Sequence, residues 1–495
     1  MEKFDEVGEV LSPSSQSLST SKLSLCIQIL LEFEDPIVEI DRVKNILVNA
    51  FIPMNPRFSS ILENDEKGVM RWRKTTVNVD DHLFVPEFPP DHESYDSVVH
   101  EYISNLCLTP FDHSRPLWEF HILNYQTSKA QATLIIRVHH AIGDGISLMS
   151  ILFSCVTRVD NPTLPPTFPA SKKCNLINTK RFNCNDKFFM FKYFEKLWYV
   201  VLVLWYTMVD VMDCLLRMMG WMEDSKLPIR GPPGVENLPV AISSVEFPMV
   251  DIKQIRTCMG ATVNEVLTGI IFSGIQRYLQ ICLSTGVDGG QHLREAYGKR
   301  SKRKDIVIKQ MKNLRVTSLA LINKRALSLQ KNLKEMVHDN PEVIWGNHFG
   351  FLHLPLPLKS VESSLEFVET AKSIMERQKM SLGIFAIAKI LGYFGRLKGA
   401  QVLAKYAYNT IASTTMAISN MVGPMEKIAI DDNILNRFSF FVSGAPQTLS
   451  VHILSYANTI TLQVIAQKSY IDVDMLSNLL KEAFEEIKEA SIKIA

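Results

Sequence analysis

None of the eight cysteines forms a Cys-x-x-Cys pair, and none lies beyond Cys282. That excludes a zinc ribbon and a disulfide framework. Cys26, Cys107, Cys155, Cys174, Cys184, Cys214, Cys258 and Cys282 therefore read as reduced thiols. An excess of one charge is also missing: 53 Lys+Arg stand against 52 Asp+Glu, a net charge of +1. A global electrostatic grip on nucleic acid is excluded on that ground. Residues Met1–Val10 are acidic and carry no apolar core, so no signal peptide is expected. No Asn-x-Ser/Thr sequon occurs either, and the catalytic part is expected to face the cytosol. There is no G-x-S-x-G, no H-E-x-x-H and no P-loop, which removes the serine elbow, the zinc-protease helix and the phosphate cradle. No internal repeat stands out.

What is present is a long chain with an ample apolar supply. Its 495 residues exceed one ordinary core, and 46% are apolar. The first twenty residues read as a flexible lead. Leu23 to Phe33 alternates as a half-buried strand does, with Leu23, Leu25, Ile27, Ile29 and Leu31 on one parity. Asp41 to Phe51 reads as a helix. Pro116 to Leu123 and Ala132 to His140 read as strands, and a helix is expected from Gly145. Leu227-Pro-Ile-Arg-Gly-Pro-Pro-Gly234 is the strongest linker. The expected division is thus an N-terminal lobe over 21–226, a linker over 227–240 and a C-terminal lobe over 241–495. Val263 to Leu279 and Met475 to Ile494 read as helices, while Thr317 to Ile322 and Ser450 to Ile465 hold strand-like runs. Strands and helices mix in both halves, giving an α/β or α+β class.

The chemical centre is His139-His140-Ala-Ile-Gly-Asp144-Gly145. A strand end, a small-residue turn and a helix start follow one another. Adjacent strand residues point to opposite faces, so the two histidines cannot share one metal; one should face a core and the other a cavity. Gly143 and Gly145 would allow a tight turn, with positive φ open to them. Asp144 stands where it can cap the helix. A neutral imidazole at a tunnel mouth can take a proton from an alcohol as that alcohol attacks a thioester. No covalent serine intermediate is then required.

The motif resembles the H-H-x-x-x-D-G pattern of coenzyme A-dependent acyltransferases and peptide-synthetase condensation domains. Leu11-Ser-Pro13, Pro56-Arg-Phe58, Pro116-Leu-Trp-Glu119, Val263-Asn264, Asn313-Leu-Arg315, Trp345-Gly-Asn347 and Ser419-Asn420 with Gly423-Pro424 extend the likeness. As a set they resemble the wax ester synthase/diacylglycerol acyltransferase family in its plant form, over residues 10 to 490. The resemblance implies two chloramphenicol-acetyltransferase-like lobes with a tunnel between them. It implies His140 as general base, His139 in support and Gly145 in the turn. It gives Asp144 a loop-structuring role through an arginine, either Arg315 or Arg137. Asn420 and Asn264 are candidates for an oxyanion donor or a substrate contact. The chain departs from the family at Glu265, where aspartate is frequent, and at Arg315-Val316, where arginine-proline is.

Trp198 to Val209 holds twelve residues without a charge, and Asp210 and Asp213 follow. A spanning helix needs about 20 apolar residues. Asp210, Asp213 and Arg217 share one helical face; Trp198, Leu202, Trp205, Val209 and Met212 lie largely on another. In-plane membrane binding over 188–222 is preferred to a span. The basic run Lys299–Lys304 reads as a solvated loop, with anionic lipid or the coenzyme's phosphates as alternatives.

The expected activity is transfer of a long fatty acyl group from acyl-CoA to a fatty alcohol, giving a wax ester, or to diacylglycerol, giving triacylglycerol. Acyl-CoA is a co-substrate. No bound cofactor, metal or nucleic acid is expected. Membrane lipid is an expected partner, at the endoplasmic reticulum or plasma membrane. Acylation of a soluble specialised-metabolite alcohol is one rival, although the D-F-G-W-G segment typical of such enzymes is missing. A degenerate lipid-binding protein on the same fold is the other.

Overall fold

The computed structural model describes residues 8–37, 39–66, 69–90, 94–168, 189–285, 311, 313–323, 345–358 and 363–494. Two large sheets organise the chain. The first half supplies β1 (Cys26–Phe33), β2 (Leu83–Phe84), β3 (Trp118–Leu123), β4 (Ala132–His139) and β5 (Thr157–Arg158). The second supplies β6 (Val240–Pro248), β7 (Thr317–Asn323), β8 (Phe349–Pro355), β9 (Met416–Val422), β10 (Ile428–Ile430), β11 (Asn433–Ser443), β12 (Leu449–Tyr456) and β13 (Thr459–Gln467). The first sheet runs β2-β3-β4-β1-β11-β10-β5 and the second β6-β13-β12-β9-β7-β8.

The helices that matter here are α1 (Pro13–Ser17), α2 (Ile40–Ile46), α3 (Asp96–Leu108), α4 (Gly145–Leu152), α5 (Phe189–Met218), α6 (Met249–Cys258) and α7 (Val263–Thr285). They continue with α8 (Leu365–Lys379), α9 (Gly383–Lys398), α10 (Ala400–Ala412) and α11 (Val473–Lys493).

β4 is buried along its whole length, which explains its unbroken run Leu134-Ile135-Ile136. A strand covered on both faces carries apolar residues at both parities. Its antiparallel partner β1 sets Cys26 opposite His139 and Ile27 opposite Val138. A separate core joins the second sheet to α6, α7, α8 and α11, with Ile270, Ile271, Phe272, Ile275 and Leu279 of α7 fully buried. Helix α7 therefore passes a length-and-hydropathy test for a membrane span while being 78% buried inside the protein.

Three expectations of organisation change. Residues 8–20 are not a loose lead: Leu11 is in the core, and Ser12 caps α1 by accepting from the Ser15 amide at 3.2 Å. Serine followed by proline is a favoured helix start, which the composition of the segment disguised. The stretch 227–240 is packed rather than free, with Leu227, Ile229 and Val235 buried. The division there is also incomplete, because β10 and β11 return to the first sheet, where β11 pairs with β1. Finally, α5 falls by sequence position within the N-terminal lobe but is tied by its charges to the C-terminal half. Arg377 pairs with Asp210 at 2.6 Å, and His353 lies 2.9 Å from Asp213. Arg217 donates to the Ser413 carbonyl at 2.9 Å and to Thr317 Oγ1 at 3.1 Å. Buried charges need such partners, and here they come from the later part of the sequence.

Candidate active site

The strand β4 ends at His139, and the His140 amide still donates to the Leu25 carbonyl at 2.8 Å. The two rings therefore leave opposite faces, as the alternation required. Their surroundings differ in chemistry. His139 Nδ1 accepts from the Ala141 amide at 3.1 Å, so its proton is on Nε2, 3.0 Å from Ser24 Oγ. Both nitrogens are used, and burial pushes its pKa down to about 3. His139 is a neutral structural pin with Phe111 at its edge.

His140 is arranged for another task. Its Nδ1 lies 2.9 Å from Oδ1 of Asn347. The orientation of that amide is fixed, because Asn347 Nδ2 donates to the His140 carbonyl at 2.7 Å and to Ser15 Oγ at 2.9 Å. An amide oxygen only accepts, so the proton of His140 resides on Nδ1 and Nε2 keeps its lone pair. Burial lowers the pKa of His140, opposed by the charge of Asp144 and the bond to Asn347. The ring is enclosed at 4% exposure, beside Phe349, and not set at an open mouth as the sequence suggested. The strap Trp345–His348 makes that enclosure.

The same strap holds the motif loop. Trp345 Nε1 donates to the Ile142 carbonyl at 2.8 Å, and Arg57 Nη1 donates to the same oxygen at 2.9 Å. Gly346 has φ +118°, a conformation that disfavours a side chain, and its carbonyl accepts from the Asp144 amide at 3.3 Å. Asp144 caps α4 through Oδ1, accepting from the Ser147 amide at 3.1 Å, while Oδ2 accepts from the His348 amide at 2.9 Å. The expected arginine partner is corrected. Arg137 pairs with Glu119 at 2.7 Å and stacks over Phe111. The Arg315 amide donates to Ser225 Oγ at 2.8 Å. Among the described residues no ion pair joins either arginine to Asp144.

Neither Gly143 nor Gly145 uses the positive φ open to it. A Cβ on Gly145 would lie 2.5 Å from the Met421 sulfur on β9 of the other sheet, so a side chain there would require Met421 to move. Asn420, next to Met421, donates through Nδ2 to Asn264 Oδ1 at 2.7 Å. The two asparagines named from the sequence are thus brought together, on β9 and at the start of α7. Glu265 has a clear structural role: it accepts from the Thr262 amide at 2.8 Å, and Thr262 Oγ1 accepts from the Glu265 amide at 3.3 Å. That reciprocal capping box tolerates glutamate at its third position. The run Lys299–Lys304 lies outside the described residues. Among the described residues no cluster of His, Cys, Asp and Glu could hold a metal ion.

Nothing local in the sequence marks Asn347, Ser15 and Phe349 as neighbours of His140. Trp345-Gly-Asn347 and Leu11-Ser-Pro13 stood out as short motifs, but their convergence on His140 spans more than 200 positions of chain. His140 is thus enclosed by an asparagine-bearing strap from the second half of the chain.

The wax ester synthase/diacylglycerol acyltransferase catalytic domain matches residues 56–267, and the WS/DGAT C-terminal domain matches residues 345–488. Wax ester synthase/diacylglycerol acyltransferase 11 of Arabidopsis thaliana is 33% identical, covering 98% of this chain and 96% of the relative. The chain belongs to the wax ester synthase/diacylglycerol acyltransferase family. A second Arabidopsis thaliana relative, wax ester synthase/diacylglycerol acyltransferase 2, is 31% identical over 92% of this chain and 89% of its own length. The fold is shared with the wax ester synthase/diacylglycerol acyltransferase of Marinobacter aquaeolei VT8 at TM-score 0.56 and 13% identity, covering 98% of this chain and 100% of that one. The first condensation domain of the calcium-dependent antibiotic synthetase, in complex with a substrate analogue, matches at TM-score 0.51 and 13% identity, over 94% of this chain and 91% of that one. The two-lobed fold expected from the motif is therefore the fold of this family member.

Proposed function

We propose that this member of the family moves a long fatty acyl group from acyl-CoA to a fatty alcohol or diacylglycerol, with His140 as general base. The observation that carries the reading is the Asn347 bond to Nδ1, which leaves the lone pair on Nε2. The alcohol oxygen attacks the thioester carbonyl as its proton passes to Nε2. The tetrahedral adduct then collapses, the C–S bond breaks, and the proton on Nε2 goes to the departing thiolate. An ester and free coenzyme A result, and no external acid is consumed. A positioned base supplies roughly 10²–10⁴-fold in rate. Asn420 and Asn264 are the amide donors we assign to substrate or to the oxyanion at the lobe junction.

We place the enzyme on a membrane surface, with its lobes on the cytosolic side. Support comes from α5. Trp198 is 64% exposed, Leu204 63% and Trp205 56%, on the face opposite Asp210, Asp213 and Arg217. A crossing would strip those three charges of Arg377, His353 and Asp224, which is costly in hydrocarbon. The helix instead lies in the interface plane beside α9, where Tyr393 and Leu397 are also exposed. The six described cysteines are free, which fits a reducing compartment.

Coenzyme A release from palmitoyl-CoA, with hexadecanol or diacylglycerol in mixed micelles, tests the chemistry. Acceptor-dependent release that disappears in a folded His140→Ala protein is expected. Full turnover by that variant, or a strong preference for a small polar alcohol, overturns the reading.

A further inference from the structure

From Met380 to Met425 the sequence holds no Asp or Glu, while Lys389, Arg396, Lys398 and Lys405 fall inside that stretch. In a chain whose charges otherwise balance, this is a local segregation of positive charge. The lysines that flank the stretch are paired, Lys379 with Glu265 at 3.0 Å and Lys427 with Glu34 at 2.8 Å. Lys389, Lys398 and Lys405 are exposed, and among the described residues none of them enters an ion pair. Their charge is therefore open to an external partner.

The fold sets these charges beside an apolar face. Helices α9 and α10 form a hairpin joined at Gly399, whose φ of +79° turns the chain. The hairpin is fastened to α5 at two places: the Leu382 amide donates to Thr207 Oγ1 at 2.9 Å, and Asn409 Nδ2 donates to the Met218 carbonyl at 3.0 Å. Leu382 at the α9 cap, Phe385, Lys389, Tyr393 and Leu397 recur at spacings of three and four, which places them on one helical face. All five are exposed, and Leu382, Tyr393 and Leu397 are more than half so. Phe394 points elsewhere and meets Tyr406 of α10, with ring centroids 6.0 Å apart. Lys389 thus stands in the middle of an apolar stripe. The stem of a lysine can lie along hydrocarbon while its ammonium reaches a phosphate.

We propose that the α9–α10 hairpin is a docking surface for anionic membrane lipid, with Lys389, Lys398 and Lys405 meeting the negative headgroups. The proposal rests on the membrane placement above and deepens it, by naming the charge of the lipid and a second contact beside α5. The occupant has to supply hydrocarbon to the stripe and negative charge to the lysines together. Nucleic acid supplies only the charge, and a neutral bilayer only the hydrocarbon. An anionic bilayer supplies both, over an area that also reaches the exposed apolar face of α5. Each lysine close to such a surface strengthens binding roughly five-fold.

The full-length protein is co-sedimented with phosphatidylcholine vesicles and with vesicles in which a quarter of that lipid is replaced by phosphatidylserine. The wild type is expected to bind the second set at least ten-fold more tightly at roughly 0.1 M salt, and the difference should shrink at about 0.5 M salt, where screening is stronger. The triple variant Lys389→Gln/Lys398→Gln/Lys405→Gln should lose the difference while keeping its affinity for phosphatidylcholine and its melting temperature. Tyr393→Ser/Leu397→Ser should weaken binding to both vesicles at least ten-fold; unchanged binding would separate the stripe from the membrane and overturn the proposal. Equal binding of both vesicles by the wild type also overturns it, as does a preference that survives the triple substitution and so lies with other basic residues. In those two cases the membrane placement stands, because phosphatidylcholine is still bound. Binding of phosphatidylserine vesicles alone, lost in the triple variant, retains the hairpin while the apolar contact through α5 falls. Binding to neither vesicle overturns the placement and the proposal together.

Discussion

The amide oxygen of Asn347 accepts a hydrogen bond from Nδ1 of His140 across 2.9 Å, joining the strap before β8 to the end of β4. The bond selects the tautomer and orients the ring. Replacing Asn347 by leucine keeps the approximate volume and removes both functions. The expected result is a loss of about 10²-fold in kcat, the scale on which small misplacements of a reacting group act. KM should change little, because no substrate contact is assigned to this amide. Equal kcat in Asn347→Leu and wild type would show that the orientation is not needed. A fall in KM-dependent terms alone would make Asn347 a binding residue.

Burial lowers the pKa of His140 from the ordinary 6.5, and the proposed base would act in its neutral form. The acid limb of the kcat/KM profile is therefore expected below pH 6.5, with a plateau from there to pH 8. Asp144 opposes the shift by favouring the charged ring. Asp144→Asn should accordingly move the acid limb lower still, whatever it does to the loop. An acid limb centred above pH 7 contradicts this assignment.

His139 has a stability effect of its own. Burial holds its folded pKa at about 3, against 6.5 when exposed. Between those values the unfolded chain binds more protons, so stability rises with pH through that window and is lost as pH falls. The slope for one such ring approaches about 1.4 kcal/mol per pH unit. His452, also held to about 3, adds a second contribution. Thermal midpoints of wild type and His139→Gln from pH 7 to pH 5 should show a shallower decline in the variant. Parallel declines would mean that His139 does not carry this linkage.

The parts of the site legible in the sequence are those that are local in the chain. His140, the cap at Asp144 and the start of α4 fall within a few residues, and alternation alone separated the surroundings of the two histidines. The amphipathic division of α5 was equally legible, since helical spacing fixes which residues share a face. What escaped was made by long-range return of the chain. The Asn347 strap arrives 207 positions after His140, and Ser15 is 332 positions before Asn347. Asp144 accepts from the backbone amides of Ser147 and His348, and no residue type announces an amide. The return of β10 and β11 to the first sheet was hidden for the same reason. Apolar patterning shows that a strand is buried without saying beside which neighbour.

The membrane surface makes the last prediction. In the C-terminal half of α5 three charged side chains are committed: Asp210 to Arg377, Asp213 to His353, and Arg217 to Asp224. Its other face leaves Phe194, Trp198, Leu204, Trp205 and Met208 more than half exposed. Exposed apolar groups at this density mark an interaction surface, and tryptophans favour the headgroup level. Burying one large apolar side chain contributes about 1.5–3 kcal/mol. The double variant Trp198→Ser/Leu204→Ser is therefore expected to bind phosphatidylcholine vesicles more than ten-fold more weakly in co-sedimentation. Its melting temperature should stay near that of the wild type, because neither residue touches the core. Turnover of a short-chain alcohol delivered from solution should fall far less than turnover of hexadecanol delivered in vesicles. Protease digestion of vesicle-bound protein supplies the geometry: an in-plane α5 leaves both lobes accessible from outside, whereas a protected segment on either side of 194–218 would establish a crossing. The second outcome would also require Asp210 and Asp213 to leave Arg377 and His353, so Arg377→Ala should then stabilise the membrane-bound form. For the in-plane arrangement the same substitution leaves Asp210 without its partner and is expected to lower the melting temperature.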